Sequence, residues 1–205
     1  MEDIIKFNRY DQEDKTTYCM EYKREDLHNS ILGTLEAYLE NCKNDIPNRS
    51  DEEKEAIIDR WDALVAASDA PYKAAISDHG AFLQIRLSLF DKIEITLDVN
   101  KEYMTAEYET IHIVRIYCHP DYLEFGYQVV NTIDHVAWVM GSRTTEYQII
   151  NPDLLEVGLL YYNGYEKDAV DPEKEIYLVK HQFEENGYKF RHERQASDVS
   201  PEAGK

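Results

Sequence analysis

The segment 82–99 constrains the fold of this chain most strongly, because apolar side chains occupy every odd position from 83 except Asp91. A period of two is typical of a strand with one buried face. A single strand of this length would span roughly 55 Å at about 3.3 Å per residue, which is too long for a domain of this size. We therefore predict a hairpin. A three-residue loop at residues 90–92 pairs Leu89 with Ile93 and keeps one face apolar, whereas a two-residue loop would pair odd with even positions.

Periodicity and end signals predict the other elements of the chain. Helices are expected at 26–42, from the Ser-x-x-Glu capping box at Ser50 towards Pro71, from Pro120 to Met140, and from Asp171 to about Glu185. Strands are expected at 3–10, 16–23, 110–118 and 145–150, and residues 151–164 fit either a helix or a hairpin. This order predicts a single α+β domain over residues 1–194, with an antiparallel-rich mixed sheet, helices packed mainly on one face and a disordered polar tail at 195–205.

The chain is strongly acidic, with 41 Asp and Glu against 22 Lys and Arg and a formal net charge of −19. Each quarter of the sequence carries between −4 and −6, so the charge belongs to the folded body. Such a surface repels nucleic acid and anionic membranes and attracts basic proteins. The sequence contains no stretch typical of a secretory leader or a membrane span. Three widely spaced cysteines favour a reducing cytoplasm over a disulfide framework.

The predicted second helix carries four carboxylates on the side opposite its apolar face. Helical spacing places Glu52, Glu55, Asp59 and Asp62 in a stripe about 80° wide that contains no Lys or Arg. A solvated helix face is the ordinary interpretation of such a stripe. The functional alternative is a row of charges that mimics phosphates, with further contacts on the first helix and in acidic, Tyr-containing segments, namely Asp26, Glu36, Glu40, Tyr103 and Tyr108.

Few residues form a pattern that points to catalysis. The sequence has no phosphate-binding glycine loop and no zinc, EF-hand or serine-hydrolase motif. The best local cluster is Cys118, His119 and Asp121, where a strand meets the start of a helix and a thiol pKa can fall. A buried cysteine followed by a helix cap explains it equally well. A metal set from His112, His119 and His135, completed by Asp134 or Glu124, has no helical ligand spacing, so neither a metal nor another cofactor is expected.

These observations together favour a cytoplasmic, non-enzymatic binding protein. We expect it to occlude the nucleic-acid-binding surface of a basic partner, such as a nuclease or defence effector, in the manner of phage anti-defence or toxin-immunity inhibitors. Direct binding to nucleic acid or membranes is not expected, and self-association is left open. One alternative is an enzyme with a Cys/His/Asp site near residues 118–121. The other is a structural or assembly subunit.

Overall fold

A computed structural model describes residues 3–11, 14, 16–42, 46, 49–101, 110–142, 144–149, 160, 164–167 and 176–181. Its strands are β1 (Ile4–Asp11), β2 (Thr16–Lys23), β3 (Tyr72–Asp78), β4 (Phe82–Leu89), β5 (Ile93–Asn100), β6 (Thr110–Cys118), β7 (Thr144–Ile149), β8 (Glu166–Lys167) and β9 (Ile176–His181). Its helices are α1 (Arg24–Cys42), α2 (Asp51–Ala67) and α3 (Gly126–Met140), the last preceded by a 3₁₀ segment, Pro120–Phe125.

The central hairpin has the predicted register. β4 and β5 pair Leu89 with Ile93, and the odd-numbered apolar side chains of both strands are buried on one face. The turn is closed by the Lys92 N–H, which donates to the Leu89 carbonyl at 3.0 Å. Phe90 and Asp91 take φ values of 55° and 54°, in the left-handed region. The register keeps the apolar face continuous, and this turn accommodates it.

The main sheet has the order β3-β4-β5-β6-β7-β9-β8, while β1 and β2 form a separate hairpin. Among the described residues, the pairing of β6 with β7 is parallel and the other pairings of this sheet are antiparallel. The apolar side chains of β4, β5 and β6 lie in one core with Trp61 of α2 and the buried side of α3. The other face of these strands carries exposed polar residues such as Arg86 and Glu94. The protein is a single α+β domain with a mixed sheet and helices packed on one face, as predicted.

The end signals of two helices are also confirmed. Ser50 caps α2, where its Oγ accepts from the Glu53 N–H and the Glu53 carboxylate accepts from the Ser50 N–H. Gly141 ends α3 in the left-handed conformation, with φ 62°. Neither helix, nor any other in the described part of the chain, is long and apolar enough to span a bilayer.

The structure differs from the sequence predictions at three elements. Residues 72–78 form β3, for which no element was predicted, because alanines give the segment little strand character. The helix expected from Asp171 is wrong at residues 176–181, which form β9 and pair with all six residues of β7. The helix expected from Pro120 begins as a 3₁₀ segment and becomes α-helical only at Gly126. The tail at 195–205, the end of the predicted domain at 194 and most of 151–164 lie outside the described residues.

Candidate active site

The parallel pairing of β6 with β7 ends before either strand does. Their pairing covers four residue pairs, from Thr110–Thr144 to Ile113–Tyr147, and the Thr110 and Thr144 hydroxyls are 2.8 Å apart at its start. Beyond the last pair, within the described residues, both strands continue but pair only with their outer neighbours, β6 with β5 and β7 with β9. The two facing edges therefore border a notch, and unpaired strand edges are surfaces on which an extended, amide-bearing molecule can bind. The carboxyl ends of parallel strands are also where α/β sheets commonly bind ligands.

A histidine and a glutamate lie beside the vertex of this notch. His112 and Glu146 are opposite each other in the next-to-last pair, with Nδ1 of the imidazole 2.7 Å from Oε1 of the carboxylate. The His112 side chain is 47% exposed and that of Glu146 only 12%, so the imidazole is accessible and the carboxylate largely covered. With the proton on Nδ1, the ring donates to Glu146 and its Nε2 becomes the acceptor. This is the arrangement of a general base whose tautomer is fixed by a carboxylate.

A bulge in β6 changes which side chains face solvent along the notch. The pairing of β6 with β5 shifts between Thr96 and Leu97, so Val114 is the extra residue. As a result the consecutive residues Val114 and Arg115 are both exposed, and Tyr117 is exposed two residues later. Bulges bend a strand and redirect its side chains, and they are frequent beside active sites.

Two amides on α3 are buried without partners. Both polar atoms of the Gln128 side chain and the Nδ2 of Asn131 are buried with no hydrogen-bond partner. These residues lie in the first two turns of α3. This helix follows the carboxyl end of β6 through the 3₁₀ segment. Leaving such a group buried and unsatisfied costs about 1–3 kcal/mol. Buried amides that bear this cost are candidates for contact with a ligand.

The residues of the predicted Cys/His/Asp cluster are adjacent but are not arranged for nucleophilic catalysis. Cys118 is buried, its Sγ donates to the carbonyls of Tyr122 and His119 at 3.4 and 3.7 Å, and burial raises the pKa of the thiol to about 11. His119 instead caps the 3₁₀ segment, with Nδ1 accepting from the Asp121 N–H at 3.3 Å. A protonated, buried thiol is a poor nucleophile. The ordinary structural interpretation therefore fits these residues better.

The three histidines considered as metal ligands do not come together. His112 lies on the open face of the sheet, His119 caps the 3₁₀ segment, and His135 is buried on α3, where burial lowers its pKa. No group of three His, Cys, Asp or Glu suited to a metal ion occurs among the described residues.

The acidic stripe of α2 has the predicted placement. Glu52, Glu55, Asp59 and Asp62 are exposed, and Trp61 is buried on the opposite side of the helix. Of the other predicted partner contacts, Asp26 is exposed on α1, the side chains of Glu36 and Glu40 are not described, and Tyr103 and Tyr108 lie outside the described residues. The role of this surface stays a prediction.

Comparison with known proteins gives similarity only at the level of solved structures. No family model and no curated protein sequence matches the chain. Similar structures are a probable acetyltransferase of Staphylococcus epidermidis (13% identity, 88% of this chain and 99% of that one, TM-score 0.39), the spermidine/spermine N-acetyltransferase of Vibrio cholerae (9%, 94% and 98%, 0.37) and a protein of Salmonella typhimurium described as an acetyltransferase and solved with its cofactor acetyl-CoA (12%, 89% and 95%, 0.37).

This comparison corrects the functional prediction. The similar structures are described as acetyltransferases, which are enzymes, so the non-enzymatic inhibitor, with its nucleic-acid mimicry and anti-defence or immunity role, is not carried further. That prediction was wrong because it rested on net charge, which bears on association and solubility and not on fold.

The pair beside the notch was not predicted from the sequence. His112 was considered only as a metal ligand, and Glu146 was not considered at all. The signal for His112 is an isolated polar side chain in an Ile-rich strand, Ile111-His112-Ile113. Its partner, however, is 34 positions away across a parallel pairing, and only the register of β6 and β7 reveals it.

Proposed function

We propose that this protein is an enzyme that transfers an acyl group to an amine at the notch between β6 and β7. The observation that carries the proposal is the His112–Glu146 pair beside the point where the pairing of two parallel strands ends. An amine acceptor needs a base to remove its proton, and an acyl donor needs backbone groups to hold it in extended form. The notch supplies both kinds of group next to each other.

In the proposed reaction, the nitrogen of the acceptor attacks the carbonyl carbon of an acyl thioester. The new C–N bond forms as the proton of the amine passes to Nε2 of His112, and Glu146 stabilises the resulting imidazolium through Nδ1–H. Backbone N–H groups on the edge of the notch are suited to stabilise the oxyanion. The carbon–sulfur bond then breaks, and the thiolate that leaves takes the proton from His112.

The notch suits the amide-bearing arm of a thioester donor. The start of the adjoining 3₁₀ segment, Pro120–Phe125, does not suit the phosphates of such a donor. Phosphate sites at helix starts use free N–H groups and positive charge. Here the Asp121 N–H is bound by His119, and Asp121 and Glu124 add negative charge. The nearby Arg60 pairs with Glu124 and donates to the Asp121 carbonyl. We therefore propose a donor recognised through its extended arm, without binding of nucleotide phosphates at this position.

The acidic surface and the free thiols indicate the partners and the location of the proposed enzyme. The surface of net charge −19 concentrates cations, and a protonated amine is a cation. A basic protein is then one source of the acceptor amine. We also propose a cytoplasmic location, which the free thiols Cys19 and Cys118 support.

The test is release of thiol from acetyl-pantetheine and from acetyl-CoA in the presence of a panel of amines. We expect acetyl-pantetheine to be used at least as well as acetyl-CoA, because the helix start gives phosphates no favourable contact. His112→Asn removes the base and should lower kcat by roughly 10²–10⁴-fold. Glu146→Gln removes only the group that orients the base, so its effect on kcat should be smaller.

The matched control is His79→Asn, since His79 is exposed and stacks on Phe82 away from the notch. This variant should keep the activity of the unaltered protein. Failure to consume either thioester with any amine, or full activity of His112→Asn, would contradict the proposal.

A further inference from the structure

Two arginines on the open face of the sheet stand out in this acidic protein because they lack a carboxylate partner. Among the described residues, Arg24, Arg49 and Arg60 each form an ion pair with Asp or Glu. Arg86 and Arg115 form none with any described residue, and the Arg115 guanidinium lies over the ring of Tyr117, 5.5 Å from its centroid. With 41 carboxylates in the chain, two arginines without partners need an explanation.

The sheet register places these arginines in one row. Arg86 on β4 is opposite Thr96 on β5, and Thr96 is opposite Arg115 on β6. Two strand spacings of about 4.8 Å separate the backbones of the arginines by roughly 10 Å. Their long side chains can bridge this span around one ligand once the Arg115 guanidinium turns from the ring of Tyr117 towards Thr96. The β6 bulge at Val114 puts Arg115 on this face.

A carboxylate of the protein itself does not satisfy this pair. Glu94 is exposed on the same face of β5, two residues from Thr96, and no ion pair joins it to Arg86 or Arg115 among the described residues. On the other side, Asp98 accepts from Nε2 of Gln84 at 3.2 Å. Both neighbouring acids thus leave the guanidinium groups to solvent or to a ligand.

The row adjoins the proposed catalytic pair. Asp98 lies opposite His112 in the next row of the sheet. Along β5 this row is two residues, or about 7 Å, from the row of Thr96. A molecule held by the arginines would therefore lie beside His112, at the β6 side of the notch. The planar forks of arginine bind carboxylate and phosphate with two parallel hydrogen bonds.

We propose that Arg86, Thr96 and Arg115 bind an oxoanion, a carboxylate or a phosphate, on the acceptor substrate. The acceptor is then an amine that also carries an anionic group. Identification of the ligand as the acceptor rests on the proposed acyl transfer. The oxoanion site itself does not, and binding can be measured without turnover.

The experiment is a titration of the full chain, labelled with ¹⁵N, with inorganic phosphate and separately with succinate at constant ionic strength. We expect saturable amide shifts centred on Thr96 and Arg115 with at least one of the two anions, and the anion that binds identifies the group. Arg86→Gln and Arg115→Gln should each weaken binding by at least about tenfold, because each removes one charged fork. Arg49→Gln is the matched control, since it removes an exposed arginine that already pairs with Glu53, and it should leave the affinity within about twofold.

Two results would overturn this proposal. One is the absence of saturable shifts with both anions. The other is equal weakening by Arg49→Gln, which would mean that only the total charge matters. Anion binding in a protein without acyl transfer would refute the proposed function and leave the oxoanion site standing, so the two failures are distinguishable.

Discussion

The thiol of Cys118 shows at the residue level how burial decides chemistry that sequence leaves open. Its position at a strand end next to His119 and Asp121 allowed a reactive cysteine to be considered, but the side chain is buried and donates to two carbonyls. Desolvation disfavours the thiolate and raises the pKa from 9.0 to about 11. The sign of this shift, which sequence could not give, excludes the role.

Slow alkylation of Cys118 follows from that shift. At pH 8 a pKa about two units higher reduces the thiolate fraction roughly 100-fold, and burial slows the reaction further. We expect iodoacetamide at pH 8 to modify Cys118 slowly in a Cys19→Ser/Cys42→Ser variant, as followed by mass spectrometry. The rate should be at least about 100 times lower than that of exposed Cys19 in the native chain. Equal rates after unfolding in urea are the control. Fast modification of the folded variant would show an accessible thiolate.

The pairing of His112 with Glu146 marks the limit of residue-level prediction at the site. Strand β6 itself could be read from its Ile-rich pattern, and so could β7 from its position after Gly141. The contact depends on a parallel register between strands joined by a crossover, with no turn to fix it. Local patterns therefore give the two elements but not the side chains that they bring together.

Among the elements, those with strong local signals were predictable and those set by pairing were not. The β4–β5 hairpin followed from strict alternation, and α2 followed from its capping box. Strand β9 was predicted as a helix because Asp171-Pro172 and Asn186-Gly187 resemble helix ends. The segment between them, Ile176–His181, contains β-branched and aromatic residues and pairs with the whole of β7, so a tertiary contact decides its conformation.

Helix α3 should make the stability of the domain depend on pH through His135. Burial lowers the pKa of this imidazole below 6.5, so the folded protein keeps it neutral where the unfolded chain takes up a proton. Stability is then fully present above pH 6.5 and falls as the pH drops through the lowered value. Between pH 7.5 and 5, His135→Gln should show a smaller loss of the free energy of unfolding in urea than the unaltered chain.

The matched variant for this measurement is His79→Gln, whose imidazole is exposed on a turn. Its pH dependence should equal that of the unaltered chain. If both variants change the pH dependence equally, or neither does, protonation of the buried His135 is not the cause.

For the molecule as a whole, the charge of −19 and the fold are separate facts. The charge is distributed over every quarter of the sequence, and the fold depends on the alternating apolar positions of β4–β6. The function predicted from the net charge was wrong, while the fold class predicted from the periodicity of apolar residues is confirmed. Within this acidic surface, the pair Arg86 and Arg115 is informative because it departs from the average.

Self-repulsion among the carboxylates should make the protein more stable when salt is added. Exposed ion pairs contribute little, whereas the repulsion of a net charge of −19 acts over the whole surface and is screened within about 10 Å at 0.1 M salt. We expect the urea midpoint to rise between 20 and 300 mM NaCl.

The double variant Glu55→Gln/Asp59→Asn removes two exposed charges of the α2 stripe. It should be more stable than the unaltered chain at low salt, and its urea midpoint should rise less when salt is added. Glu21→Gln removes an acid that pairs with Lys6 and should lack this benefit at low salt. A midpoint that falls with salt in the unaltered chain would show that ion pairs outweigh the repulsion.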